Sequence, residues 1–112
     1  MALPSLDGRV FSVAQTADAG EASADTTFEY HQDGDLVWAR YAGGTVRLGF
    51  LVGTREGDRL DFRYSQLNEA GETSNGRCTS RIASLPDGRL RLDETWEWES
   101  RPGAGTSAVE EI

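Results

Sequence analysis

The chain has 112 residues, of which 38% are hydrophobic and 27% are charged, and its net charge at pH 7 is −8. This length suits one domain with a single core, and no apolar run is long enough to cross a membrane. Because an acidic surface repels phosphate backbones and anionic lipid, we expect neither nucleic acid nor a membrane as a partner. All eleven basic residues are arginine, which excludes a Schiff-base lysine and a phosphate-loop lysine.

Three further features narrow the class of protein. The N-terminus, MALPSLDGRV, lacks a basic head followed by an apolar stretch, so we expect a cytoplasmic protein. The single Cys78 cannot form an internal disulfide, and at an inward strand position it is expected to act as a small buried hydrophobe. One histidine, His31, is too few for a metal site and lies beside a turn. We therefore predict no metal and no cofactor.

Short turn signals alternate with runs rich in aromatic and β-branched residues along most of the chain. The turn signals are DGD at 33–35, AGG at 42–44, REGD at 55–58, NEAGE at 68–72 and PDG at 86–88. The strand-like runs are 9–15, 25–32, 35–42, 45–54, 58–67, 73–85 and 89–99. This pattern predicts an all-β, antiparallel up-and-down meander of about seven to eight strands that forms a small barrel or half-barrel. Its shape would resemble lipocalin-like or avidin-like barrels, a likeness of architecture only.

The same pattern sets the domain bounds. Residues 1–100 are expected to form a single β-barrel domain. The last segment, 101–112, is rich in small and polar residues and has little to bury, so it is expected to be a flexible C-terminal tail.

The turn residues predict how the strands pair. Two-residue turns at Asp33-Gly34 and at Gly43-Gly44, and a three-residue loop at 86–88, place apolar residues opposite apolar residues. The predicted pairs are Tyr30–Val37, Phe28–Ala39, Ala39–Leu48, Val37–Phe50, Ile82–Leu92, Cys78–Trp96 and Gly76–Trp98, with Ser80 opposite Glu94. On the other face of the last hairpin, Arg81 falls opposite Asp93 and Arg77 opposite Glu97, as cross-strand ion pairs.

One carboxylate falls on the inward face. In DETWEWES, Glu94 shares a side of the strand with Trp96 and Trp98, because side chains alternate along a strand. An unpaired buried carboxylate is costly, so Glu94 must be hydrogen-bonded, protonated or reached by water. In one interpretation its neighbours satisfy it and it is structural. In the other it belongs to a small-ligand pocket lined by Tyr30, Tyr41, Tyr64, Gln66, Ser80, Glu94, Trp96 and Trp98.

One group of outward residues does not look solvated. Leu36 is predicted opposite Leu51, and Trp38 opposite Gly49, on a face that otherwise carries arginines. The ring of Trp38 could shield the backbone of Gly49. Alternatively Leu36, Trp38 and Leu51 form a subunit contact and the protein is a homodimer. Residues 1–7 could equally fold over this patch.

Three longer strings carry a resemblance to known sequences. TTFEYHQDGDLVWARYAGGTVRLGFLVG, FRYSQLNEAGETSNGRC and RLDETWEWES resemble a family of small bacterial proteins often labelled "N-acetylglutamate synthase", over most of residues 8–100. The label would imply acetyl transfer from acetyl-CoA to glutamate. An acetyltransferase of the usual kind has a mixed α/β fold and a glycine-rich turn that opens a helix. The residues predict neither, so no catalytic residue is carried over.

Three functions from different classes follow. The first is a non-enzymatic module that binds a small, partly apolar molecule, for which a neutral or cationic ligand suits Glu94 and the aromatic faces better than an anion. The second is a structural or interaction protein with a filled core that acts through the Trp38 face. The third is an enzyme with Glu94 as a general base of raised pKa.

Overall fold

The strands follow one another in chain order, each antiparallel to the next. A computed structural model describes residues 3–16 and 20–112, and these residues form eight strands. The bounds are β1 Val10–Gln15, β2 Thr27–Asp33, β3 Leu36–Gly43, β4 Val46–Glu56, β5 Arg59–Asn68, β6 Thr73–Ser84, β7 Leu90–Trp98 and β8 Ala104–Glu111. Because β8 pairs with both β7 and β1, the sheet closes. The predicted antiparallel barrel is confirmed, in its closed form.

The segment predicted to be a flexible tail over 101–112 contains the eighth strand, which corrects that prediction. Strand β8 pairs along its length with β7 and also with β1, and its residues Ala108 and Val109 are buried. The sequence signal was weak because the strand is short of large apolar residues. The edges of β1 and β7 would otherwise expose unpaired backbone groups, and these edges hold β8 in place.

The hairpin of β6 and β7 has the predicted register. The predicted cross-strand pairs are all present: Gly76–Trp98, Arg77–Glu97, Cys78–Trp96, Ser80–Glu94, Arg81–Asp93 and Ile82–Leu92. On the outer face, Arg77 forms an ion pair with Glu97 at 3.1 Å. Arg81 instead reaches Asp58 on the neighbouring turn, at 3.0 Å. Turn chemistry therefore fixed the register of this hairpin.

The hairpin of β2 and β3 is shifted by two residues from the prediction. Tyr30 lies opposite Ala39, and Gln32 lies opposite Val37. The turn residues are Gly34 and Asp35, because Asp33 pairs with Leu36. A two-residue hairpin turn favours a glycine with positive φ at its first central position, and Gly34 has φ 61°. A shift of two keeps every side chain on its predicted face.

Strand β4 contains a β-bulge that the sequence did not reveal. The register of its pairing with β5 shifts by one residue between Val46 and Leu48. The register of its pairing with β3 shifts in the same region, between Tyr41 and Gly43. One extra residue reverses the alternation beyond it. Leu51 therefore points inward and is 3% exposed, whereas Phe50 is 55% exposed. The predicted inward position of Phe50 and outward position of Leu51 are wrong.

One half of the barrel is filled and capped. Its core is formed by large apolar side chains that are almost fully buried: Leu6, Phe11, Val37, Leu60, Ile82, Leu90, Leu92 and Val109. Leu6 belongs to the segment before β1, whose carbonyl groups at Leu3 and Pro4 accept hydrogen bonds from Arg55 at 3.1 and 2.7 Å. Residues 3–7 therefore close this end of the barrel rather than cover the Trp38 face. Residues 1 and 2 lie outside the described residues.

Candidate functional site

The other half of the barrel is hollow. A cavity of about 70 Å³ lies toward the ends at which β1, β3, β5 and β7 finish. A cavity needs a volume of roughly 10–15 Å³ to hold one water molecule. The space therefore suits several waters or a small chemical group. Six of the eight predicted ligand-binding residues line it: Tyr41, Tyr64, Gln66, Glu94, Trp96 and Trp98.

Aromatic rings on β5 and β7 form one wall of the cavity. Trp96 and Trp98 meet edge to face with their ring centroids 5.7 Å apart, and Tyr64 meets Trp98 in the same way at 5.5 Å. Gly76 faces Tyr64 from β6, and a Cβ atom there would collide with the tyrosine ring. The wall thus depends on a glycine opposite a tyrosine, which leaves the ring room to lie against the sheet.

A second wall is built around Tyr41. Its ring stacks on Phe28, with the centroids 4.7 Å apart, and lies over Gly49 of β4. The hydroxyl group of Tyr41 donates a hydrogen bond of 2.9 Å to Oε1 of Gln66. Leu51 reaches the cavity from the same strand as Gly49 because of the bulge in β4.

Glu94 lines the cavity and is partly exposed to it, with little to stabilise its charge. Ser107 of β8 donates a hydrogen bond of 2.9 Å to its Oε1 atom. Burial is the largest influence and raises the pKa of Glu94 to about 7, although the bond from Ser107 acts in the opposite direction. Ser80 lies opposite Glu94 in the sheet, but its hydroxyl group contacts the Cys78 sulfur at 3.6 Å instead. The predicted neighbour of Glu94 is therefore not its hydrogen-bond partner.

A polar network lies at the mouth of the cavity around Glu21. The Glu21 carboxylate accepts hydrogen bonds from Gln66 at 2.8 Å and from Asn68 at 2.9 Å. Arg101 approaches the same carboxylate at 3.6 Å and lies over the ring of Trp98, 4.5 Å from its centroid. The segment before β2 and the loop after β7 are thus joined across the mouth.

The remaining two predicted residues, Tyr30 and Ser80, are fully buried and do not line the cavity. Among the described residues, the hydroxyl group of Tyr30 has no hydrogen-bond partner. Burial raises the pKa of Tyr30, and the nearby Glu94 carboxylate raises it further. Tyr30 therefore lies in the core close to Glu94, as a neutral phenol.

Sequence reasoning missed two polar residues of the site, Glu21 and Ser107. Ser107 fell in the segment predicted to be a tail. Glu21 lies in a stretch rich in alanine and serine with no strand signal, and its role depends on contacts with residues more than forty positions away. Neither residue had a local signal that could have revealed it.

The predicted interface residues separate onto two faces. Leu36 and Trp38 are exposed, at 43% and 38%. Leu51 lines the cavity, so its assignment to the interface is wrong. Trp38 lies opposite Val52 rather than Gly49, and its ring stacks on His31 with a centroid distance of 5.5 Å. The outer apolar patch therefore consists of Leu36, Trp38, Phe50 and Val52.

Three other features bear on function in the part of the chain that the structure describes: a reactive cysteine, a metal site and a membrane-spanning helix. Burial raises the pKa of the Cys78 thiol, the opposite of what activates a nucleophilic cysteine. Within residues 3–16 and 20–112, no group of three or more His, Cys, Asp or Glu side chains is placed to hold a metal ion. No helix in these ranges is long and apolar enough to span a membrane.

Comparison with known proteins agrees with the barrel. A family model described as "Avidin-like protein" matches residues 4–112, which is nearly the whole chain. No curated protein and no solved structure matches. The label "N-acetylglutamate synthase" receives no support from these comparisons.

Proposed function

Because the chain belongs to the avidin-like protein family, we propose that its barrel binds a small, partly apolar molecule in the hollow half. The observation that carries the proposal is a cavity walled by aromatic rings, with the Glu94 carboxylate inside it. A concave site lined by aromatic rings, with few polar groups, is typical of small-molecule binding. The filled half of the barrel holds these side chains in place from below.

The roles of the lining residues follow from their positions. Trp96, Trp98 and Tyr64 supply apolar surface, and Glu94 and Gln66 supply hydrogen-bonding groups. Tyr41 positions Gln66 through the hydrogen bond between their side chains. Tyr30 and Ser80 support the site from the core and do not touch the ligand.

The first test is a native mass spectrum of the freshly purified protein, repeated under denaturing conditions. A ligand that co-purifies appears as extra mass that is lost on denaturation. Glu94→Gln or Trp96→Phe is expected to lower the fraction of the protein that carries the extra mass. Either variant should also lower the rise in melting temperature that the isolated ligand causes. Trp38→Phe, on the outer face, is the matched control and should leave both unchanged. A ligand retained equally by all the variants would contradict binding in this cavity.

A second proposal is that two copies of the barrel associate through the outer apolar patch. Phe50 and Val52 are 55% and 57% exposed and lie beside Trp38 on the neighbouring strand. Contiguous apolar surface of this kind is typical of contact sites. Native mass spectrometry and sedimentation velocity should then detect a dimer.

The cytoplasmic location expected from the sequence stays a prediction.

Two valine variants separate this dimer from general surface effects. Val52→Thr should dissociate the dimer, because it places a hydroxyl group in the contact. Val10→Thr makes the same change at an exposed position on β1, outside the patch, and should not. A protein that stays monomeric at every concentration would rule out association through this face.

A further inference from the structure

Among the described residues, no side chain that lines the cavity gives the Glu94 carboxylate a positive partner. Among the described residues that line it, none is arginine or histidine, and Ser107 is the one residue that donates a hydrogen bond to Glu94. Arg101, which contacts Glu21 at the mouth, is held by that carboxylate and by the ring of Trp98. Glu94 is partly exposed, to the cavity, and a carboxylate inside a barrel with a single hydroxyl donor is under-compensated.

The groups that surround Glu94 on the other strands are neutral at pH 7. Tyr30 on β2, Tyr41 on β3, Tyr64 on β5 and Cys78 on β6 are all close enough for the Glu94 charge to raise their pKa values further. On its own strand, Asp93 adds a second negative charge nearby, which Arg91 pairs with at 2.9 Å on the outer face. The other carboxylate of the lining, Glu21, lies at the mouth. Above pH 7, where Glu94 is ionised, the described lining residues therefore carry carboxylate charge and include no arginine or histidine.

The walls also suit a positive charge. The rings of Trp96, Trp98 and Tyr64 all line the cavity, and aromatic faces attract cations. Arg101 already lies over the ring of Trp98 in this way, 4.5 Å from its centroid. The cavity volume of about 70 Å³ limits what can enter to a small group rather than a large ring system.

We infer that the ligand carries a small, planar, positively charged nitrogen group of the amidinium or guanidinium type, which lies against the Glu94 carboxylate between the aromatic walls. This inference rests on the proposed binding function and names the class of ligand. Two parallel N–H groups match a carboxylate in shape and charge. An anionic ligand would meet two carboxylates, and none of the described lining residues is a cation.

Three probes of nearly identical shape test this inference: acetamidinium, acetamide and acetate. Their binding is followed at pH 8 through the indole N–H signals of Trp96 and Trp98 in NMR spectra, with Trp38 as the internal control. Acetamidinium is expected to bind more tightly than acetamide by on the order of tenfold, because only the cation forms a charge-assisted pair and gains from the aromatic faces. Acetate is expected not to bind.

Variants and pH then identify the group responsible. Glu94→Gln should remove the preference for acetamidinium over acetamide, whereas Glu97→Gln, on the outer face of the same strand, should keep it. The affinity for acetamidinium should fall as the pH is lowered below 7, because Glu94 becomes protonated while the probe keeps its charge.

The possible results separate this inference from the proposed function. Binding of acetamide or acetate without a preference for acetamidinium would overturn the inference and leave binding in the cavity intact. No response to any of the three probes would also overturn it, and the mass spectrum of the purified protein would then decide the proposed function independently. A preference for acetamidinium that survives in Glu94→Gln would show that another group attracts the cation, and would likewise overturn the inference.

Discussion

At the scale of single residues, Glu94 adds a pH dependence to the stability of the protein. The pKa of Glu94 is about 7 in the folded state, and its ordinary value is 4.5. Between pH 4.5 and pH 7, the folded protein therefore keeps a proton on Glu94 that the unfolded chain releases. The stability that depends on this proton is fully present below the ordinary pKa and is lost as the pH rises through 7. The carboxylate therefore opposes folding most strongly in alkaline solution.

Replacing Glu94 should remove this dependence. We expect Glu94→Gln to raise the free energy of unfolding relative to the native protein, and the gain should grow by about 1–2 kcal/mol between pH 5.5 and pH 8. Urea denaturation at the two pH values measures the difference. Glu97→Gln, which loses an exposed ion pair with Arg77 instead, should show a small effect of opposite sign. A gain that is the same at both pH values would contradict the raised pKa.

The contact between Tyr41 and Gly49 is the second feature at this scale. A Cβ atom at position 49 would collide with the Tyr41 ring, which would have to move and lose its hydrogen bond to Gln66. We expect Gly49→Ala to destabilise the protein by about 1–3 kcal/mol. In the double variant with Tyr41→Ala the cost of the added methyl group should largely disappear, because its collision partner is gone. Additive effects in urea denaturation would rule out this contact as the cause.

At the scale of secondary-structure elements, β8 completes both the sheet and the site. It supplies Ser107 to Glu94 and joins β7 to β1, where Arg9 and Glu111 form an ion pair at 2.9 Å. Without β8, two long edges would be open and the core would lose Val109.

Truncation tests the role of this strand. We expect a chain that ends at Gly103 to lose its cooperative fold, seen as a loss of dispersion in the NMR spectrum and of the thermal transition. Removal of Ile112 alone is the control, since this residue is 70% exposed and should cost little. If the longer truncation still melted cooperatively, the segment after residue 103 would be the dispensable tail that its composition suggested.

At the scale of the whole molecule, closure makes the filled and hollow halves one cooperative unit. Every strand runs through both halves, and β1 is held by β8 from the far end of the chain. We expect one unfolding transition, with the same midpoint for tryptophan fluorescence and for far-UV circular dichroism. In a Trp38→Phe background, fluorescence comes from Trp96 and Trp98 and reports on the hollow half, whereas circular dichroism reports on all the strands. Two separate midpoints would show that the hollow half unfolds independently.

The faces of the strands could be predicted only where the alternation was unbroken. Along β7 it gave Glu94, Trp96 and Trp98 correctly as one inward row. Along β4, a bulge near Arg47 exchanged the two faces, so Leu51 turned inward and Phe50 outward. A bulge of this kind depends on the fit between neighbouring strands, and the sequence of β4 alone does not reveal it.

The sequence by itself determined the all-β meander, the register of the β6–β7 hairpin and most of the aromatic lining, because turn residues and alternation act over a few positions along the chain. Only the tertiary structure decided that the barrel closes through β8, that Ser107 rather than Ser80 bonds Glu94, and that Glu21 joins the mouth. These features depend on residues that are distant in sequence and that meet only because closure brings the two ends of the sheet together.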